Sequence, residues 1–206
     1  MHDLKLVIFD CDGVMFDSRE ANRVYYNRIL AHFGHPPMDA GELDYVHVHH
    51  VMASVGHIFR NHPDEIEAAH AFRKALDYTP FLHYMVMEPD LLAFLDYLRP
   101  ARKTAISTNR TTTMPAILEL FKLEPLFDKV VTAIDVAQPK PHPEALHQIL
   151  DHFRLRAQEA IYIGDSTVDE EHARAAGMRL IAFKNPSLRA EYHVERFMEI
   201  TRLPIF

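Results

Sequence analysis

Short stretches rich in apolar β-formers recur along this chain at residues 4–9, 104–107, 129–132, 160–163 and 180–183, the first of them an almost unbroken apolar run. Runs of this length, rich in β-formers and without polar alternation, suit strands covered on both faces. Between them lie patterns of helical period: residues 90–98, opened by Pro89 and closed before Pro100, then 114–121, 143–153, and 168–176 with Gly177 just past its end. Strand and helix in alternation build βαβ units. The expected fold is therefore α/β, with a doubly wound, Rossmann-like parallel sheet.

One stretch breaks the rhythm. Residues 17–84 carry helical spacing at 21–33, a Gly/Pro-bearing turn at 34–37 and a second helical run at 65–76, with no buried strand. The expected organisation is a core of residues 1–16 and 85–206, interrupted after the first strand by a small α-helical domain of residues 17–84. No internal repeat or low-complexity segment argues for a solenoid or a disordered tail.

The chain has 206 residues, 48% of them hydrophobic and 25% charged, enough to bury a core and carry an insert. A formal charge of −7 gives no electrostatic reason to expect a nucleic-acid partner. No apolar run reaches the ~18 residues of a membrane span. The start MHDLKLVIFD lacks the basic region and cleavage site of a secretory signal. Cys11 is the single cysteine, so no intrachain disulfide exists. These features fit a cytoplasmic protein.

Chemistry-bearing residues gather where apolar runs end. The first run leads into Asp10-Cys11-Asp12-Gly13, the second into Thr108-Asn109, and the fourth into Gly164-Asp165-Ser166 with Asp169 a helical turn on; Lys140 lies between Pro139 and Pro141. A parallel sheet delivers such residues to one end, where open α/β folds bind ligands. In extended chain Asp10 and Asp12 face one cavity and Cys11 faces away. Asp10, ionised near neutral pH, then suits nucleophilic attack on phosphorus, and Asp12, crowded by a like charge, suits carrying a proton. A hard divalent cation held by Asp10, Asp165 and Asp169 would offset the repulsion between carboxylate and phosphate. Thr108 offers a hydroxyl to phosphoryl oxygens, and Lys140 a charge for the transition state. Singly, each motif also reads as something plainer: a surface turn for DxDG, helix capping for GDSTVD, a solvated lysine or threonine.

Taken in this order, Asp10-Cys11-Asp12-Gly13-Val14, Thr108-Asn109, Lys140-Pro141-x-Pro143 and Gly164-Asp165-Ser166 with Asp169 resemble the four motifs of the haloacid dehalogenase superfamily of phosphohydrolases. The helical insert looks like the small four-helix cap of its phosphoglycolate phosphatase and β-phosphoglucomutase branch. The resemblance implies a Mg2+-dependent phosphatase that acts on a small phosphorylated metabolite through an aspartyl phosphate. Asp10 would be nucleophile and metal ligand. Asp12 would be acid/base and lend its backbone carbonyl to the metal, Asp165 would be the remaining carboxylate ligand, and Asp169 would support the metal site. Thr108, Asn109 and Lys140 would grip the phosphoryl group, with Ser107 an alternative source of the hydroxyl. Val14, where many phosphatases of the branch carry Thr, leaves a phosphomutase open, and a catalytically silent binding or regulatory protein is the third reading.

A cysteine-phosphatase role for Cys11 fails, because Asp17 stands where that chemistry needs an arginine. No GxGxxG or GxxxxGK[ST] pattern supports a nucleotide-binding loop. Among fifteen histidines, His47, His49, His50, His57 and His62 crowd the insert. Their spacing matches no closed zinc pattern and no cysteine assists, so solvated or packing histidines are expected there.

Overall fold

The computed structural model describes residues 3–49, 51–99 and 101–206, without the side chain of Val48. His50 and Pro100, both used in the sequence reading, lie outside the described residues. The chain divides into two compact units, Met1–Phe16 with Met87–Phe206, and Asp17–Val86.

The strands are β1 (Leu6–Phe9), β2 (Phe16–Asp17), β3 (Val86–Met87), β4 (Lys103–Ser107), β5 (Lys129–Val131), β6 (Ala160–Gly164), β7 (Arg179–Phe183) and β8 (Tyr192–Val194). Six of them form one sheet in the order β5-β4-β1-β6-β7-β8, and β2 and β3 make a separate two-stranded sheet. Every pairing in the large sheet is parallel. From β1 the chain builds outward through β4 to β5, then returns to the other side of β1 for β6, β7 and β8. That reversal puts the topological switch point, and the ligand crevice expected there, at the C-terminal end of β1.

The helices are α1 (Arg19–His32), α2 (Ala40–Val48), α3 (Val51–Ile58), α4 (Ile66–Ala75), α5 (Leu91–Leu98), α6 (Met114–Leu120), α7 (Glu144–Phe153), α8 (Thr167–Ala175) and α9 (Phe197–Ile200). In the sheet unit α7 packs on β4 and β5, and α8 on β6 and β7. There Leu6, Ile8, Leu146, Ile149 and Tyr162 are fully buried in one cluster. On the opposite face, Phe9 meets Phe94 of α5 and Phe197 of α9 at ring-centroid distances of 6.0 and 5.8 Å. Both faces of β1 are thus covered, which explains its continuous apolar run.

The helical unit has its own core of Tyr25, Tyr26, Ile29, Leu30, Val46, Val55, Ile58, Phe59, Ala69 and Phe81. The chain is therefore an α/β fold with an inserted helical domain. Two of its helices escape a reading by period. α2 is announced instead by a capping box, Asp39 accepting from Glu42 N at 2.8 Å while Glu42 accepts from Asp39 N at 3.1 Å. α3 reads VMASVGHI, nearly apolar throughout, and so shows no polar face. β8, three residues at the sheet edge, is too short and mixed to stand out.

Candidate active site

Asp10 is the first residue past β1, and its backbone N–H donates to Ile163 O of β6 at 2.9 Å, so the sheet ladder fixes its position. Asp165 follows β6 immediately, and Thr108 follows β4, with its N–H donating to Val131 O at 3.1 Å. Three strand ends therefore converge at the switch point. Gly13 adopts φ +78, a conformation that favours glycine, and a Cβ there would collide with the Asp165 carboxylate.

Lys140 is the hub of the buried site. Its ammonium donates to Asp10 Oδ1 at 2.7 Å, Asp169 Oδ1 at 2.8 Å and Tyr162 Oη at 2.9 Å. Burial works against its charge, but the carboxylates of Asp10 and Asp169 outweigh that and hold its pKa above the ordinary lysine value. Asp169 is fully buried. Its Oδ1 takes Lys140 and the Tyr162 hydroxyl, and its Oδ2 takes Ser166 Oγ at 2.6 Å with the backbone N–H groups of Asp165 and Ser166. Burial would raise its pKa, yet Lys140, Ser166 and Tyr162 bring it below the usual carboxylate value. Ser166 and Asp169 also form the capping box of α8. The capping role and the charged role fall on the same two residues.

Asp10, Asp165 and Asp169 present carboxylate oxygens that all lie within 4.8 Å of one another. Burial and then the Asp169 carboxylate raise the pKa of Asp10 to about 7, and burial followed by Asp10 and Asp169 raises that of Asp165 to about 8. Burial and the neighbouring Asp169 carboxylate thus oppose the ready ionisation of Asp10 expected near neutral pH. Three clustered carboxylates face one ammonium, and a hard divalent cation, which takes such oxygen donors, would relieve the imbalance. The donor set therefore fits Mg2+. Asp169 has both oxygens committed to protein partners, which suits a supporting place.

The Asp12 carboxylate lies outside this cluster. Arg110 donates to its Oδ2 through Nε at 2.7 Å and to its Oδ1 at 2.6 Å, so its crowding by Asp10 is offset by a bidentate ion pair. Arg110 escaped the sequence reading, although it directly follows Thr108-Asn109. Its backbone N–H donates to Thr108 Oγ1 at 3.1 Å. Asn109 Nδ2 donates to Lys140 O at 3.2 Å, tying the two loops together. The Ser107 hydroxyl is engaged with His172 Nε2 at 3.0 Å, on the buried side. Cys11 is buried, with its thiol pKa pushed up first by burial and then by Asp12. Tyr162, also unforeseen, joins Lys140 to Asp169, and its pKa is pushed up by burial and the nearby carboxylates.

Comparison with known proteins shows the family. The family model described as haloacid dehalogenase-like hydrolase matches residues 7–183. A crystal structure of a haloacid dehalogenase superfamily hydrolase, subfamily IA variant 1, from Geobacter sulfurreducens is 39% identical and superposes with a TM-score of 0.84 over 96% of this chain and 95% of that one. A phosphoglycolate phosphatase of Aliivibrio fischeri is 29% identical over 87% of this chain and 84% of its own length. A β-phosphoglucomutase of Clostridium difficile shares the fold, with 18% identity and a TM-score of 0.79 over 96% of this chain and 93% of that one.

Proposed function

The chain belongs to the haloacid dehalogenase-like hydrolases, and from that premise we propose that it is a cytoplasmic, Mg2+-dependent phosphatase of a small phosphorylated metabolite. The observation that carries the reading is the Asp10 carboxylate at the end of the central strand, bonded to the Lys140 ammonium and within reach of Asp165 and Asp169. Phosphatase relatives such as the Aliivibrio fischeri protein point the same way.

In this reading Asp10 attacks phosphorus, forming an Asp10–phosphorus bond through oxygen while the bond from phosphorus to the leaving alcohol breaks. Asp12 gives its proton to the departing oxygen. To carry that proton, its carboxyl must open the bidentate pair with Arg110. In the second half Asp12 takes a proton from water, whose oxygen attacks the same phosphorus, releasing inorganic phosphate and restoring Asp10. Thr108, Asn109 and Lys140 hold the phosphoryl group, Lys140 also placing its charge against the developing negative charge. Asp10, Asp165 and the backbone carbonyl of Asp12 would hold Mg2+, with Asp169 in support. The bound ion supplies charge neutralisation between the carboxylate and the phosphoryl oxygens.

The test is a panel of phosphorylated metabolites and one generic aryl phosphate, assayed for phosphate release with Mg2+ and with chelator. Mg2+-dependent release supports the proposal. Absence of release from every ester in Mg2+ overturns it, and an isomerised sugar phosphate in place of free phosphate would mark a mutase instead.

A further inference from the structure

The helical unit holds a second cluster of metal-ligating side chains, and none of it belongs to the phosphatase chemistry. His35, His62 and Glu65 each present a donor atom, and all three atoms lie within 4.8 Å of one another. His35 Nε2 meets Glu65 Oε2 at 2.5 Å. The rings of His35 and His62 stack at a centroid distance of 4.0 Å with 25° between their planes. Periodicity hid this group, because the turn after α1 brings His35 beside residues far along the chain.

Local structure explains the convergence. His35 N–H closes the end of α1 on Leu30 O at 3.0 Å, following Gly34 at φ +77. The His35 ring rests edge-on against Phe59, which is fully buried, at 5.5 Å. His62 caps the 3-10 turn Pro63–Glu65 and is itself tied back by its N–H to Phe59 O at 2.8 Å. The Glu65 N–H donates to His62 O at 3.1 Å, so the turn draws these two residues together. Phe59 thus supports one imidazole through its ring and the other through its backbone.

A hydrogen bond between His35 and Glu65 accounts for two of the three groups. It leaves the His62 ring stacked and, among the described residues, without a hydrogen bond. We infer that His35, His62 and Glu65 form a binding site for a first-row divalent transition metal ion, Zn2+ above all. Two imidazole nitrogens and a carboxylate oxygen are a zinc donor set, whereas Mg2+ and Ca2+ favour all-oxygen sites. Bonds of about 2.0–2.1 Å to a tetrahedral ion put neighbouring donors about 3.3 Å apart, and because each nitrogen lone pair lies in its ring plane, closure also turns the His35 and His62 rings out of their stack. His62 is exposed, which gives the ion a path in and leaves the fourth position to water. Bound there, the ion clips the turn after α1 to the turn that starts α4. The site stands independently of the phosphatase reading.

The full chain, stripped with chelator and returned to excess Mg2+ to saturate carboxylate-only sites, is titrated with Zn2+ against a chromophoric competitor. A parallel titration uses Co2+, whose visible absorption reports coordination geometry. One equivalent of Zn2+ and a tetrahedral Co2+ spectrum are expected. His62→Phe keeps the ring stack and removes the nitrogens, and it should weaken Zn2+ binding at least tenfold, as should Glu65→Gln. The inference fails if wild-type protein takes up no Zn2+, or if wild type and His62→Phe bind it equally. It also fails if Asp165→Asn, not His62→Phe, removes the bound ion.

Discussion

The guanidinium of Arg110 grips both oxygens of Asp12, at 2.7 Å through Nε and 2.6 Å through the terminal nitrogen. A planar fork of this kind fixes the orientation of a carboxylate in a way that a point charge cannot. The same residue bonds Thr108 Oγ1 through its backbone, so one side of the proposed site is set by a single loop position. If Asp12 moves the proton, Arg110→Ala should lower kcat by about 10²-fold, the scale of an ångström-level misplacement, with a smaller change in KM. Arg110→Lys should recover only part of the loss. Steady-state kinetics on an aryl phosphate decides it, and an unchanged kcat in Arg110→Ala would remove Arg110 from the positioning of Asp12.

Asp10→Asn keeps the shape of the side chain and an acceptor for Lys140, but removes the nucleophile. Turnover should fall to background with Mg2+ present. Acid-quenched wild-type enzyme should carry phosphate released by hydroxylamine, as an acyl phosphate is, and the variant should carry none. Labelled phosphate on Asp10→Asn protein would reassign the attacking group.

Much of this architecture is legible from short apolar stretches, because a strand buried on both faces lacks the polar alternation of a half-exposed one. The strands running 104–107 and 160–163 in the sequence reading appear as Lys103–Ser107 and Ala160–Gly164, shifted only at their ends. Elements whose apolar residues lack a period were not legible, and α2 and α3 are of that kind. The acidic cluster could be expected because Asp10, Asp165 and Asp169 each follow a recognisable strand or capping signal. Arg110 and Tyr162 could not. Arg110 reads as an ordinary loop cation until the fold brings it to Asp12, and Tyr162 reads as one more strand residue until its hydroxyl meets Lys140 and Asp169. Sequence shows where a chain ends a strand more readily than which side chains that ending brings together.

Stability should depend on pH in a way that Mg2+ reverses. In the metal-free chain Asp10 and Asp165 have pKa values of about 7 and about 8, against about 3.9 unfolded. Raised values mean that the native state holds protons more tightly, so their stabilising contribution is complete below the unfolded value and lost as pH rises through 7 to 8. His172 acts with the opposite sign: burial lowers it to about 3, so its contribution is present above about 6.5 and lost as pH falls. Above pH ~6.5 only the carboxylates titrate among these groups. Thermal melts in chelator should therefore fall between pH ~6.5 and ~9, and Mg2+ should raise the melting temperature more at the alkaline end. Asp165→Asn should flatten the decline. A metal-free melting temperature that climbs over this window would contradict the raised carboxylates.

Gly13 separates backbone strain from the shape of the site. Both Gly13, at φ +78, and Gly177, at φ +64, occupy the left-handed region, where any other residue costs roughly 1–2 kcal/mol. They differ in their neighbours. A Cβ on Gly177 meets nothing within 4 Å, whereas one on Gly13 would overlap the Asp165 carboxylate. Gly177→Ala should therefore lose stability alone, with the Mg2+ concentration for half-maximal activity unchanged. Gly13→Ala carries the same strain and must also displace Asp165, so that concentration should rise at least tenfold. Melting curves combined with Mg2+ titrations of activity measure both effects on the same proteins. If the two variants lose equal stability and keep equal Mg2+ responses, Asp165 does not depend on the space that Gly13 leaves, and its assignment as a metal ligand loses its support.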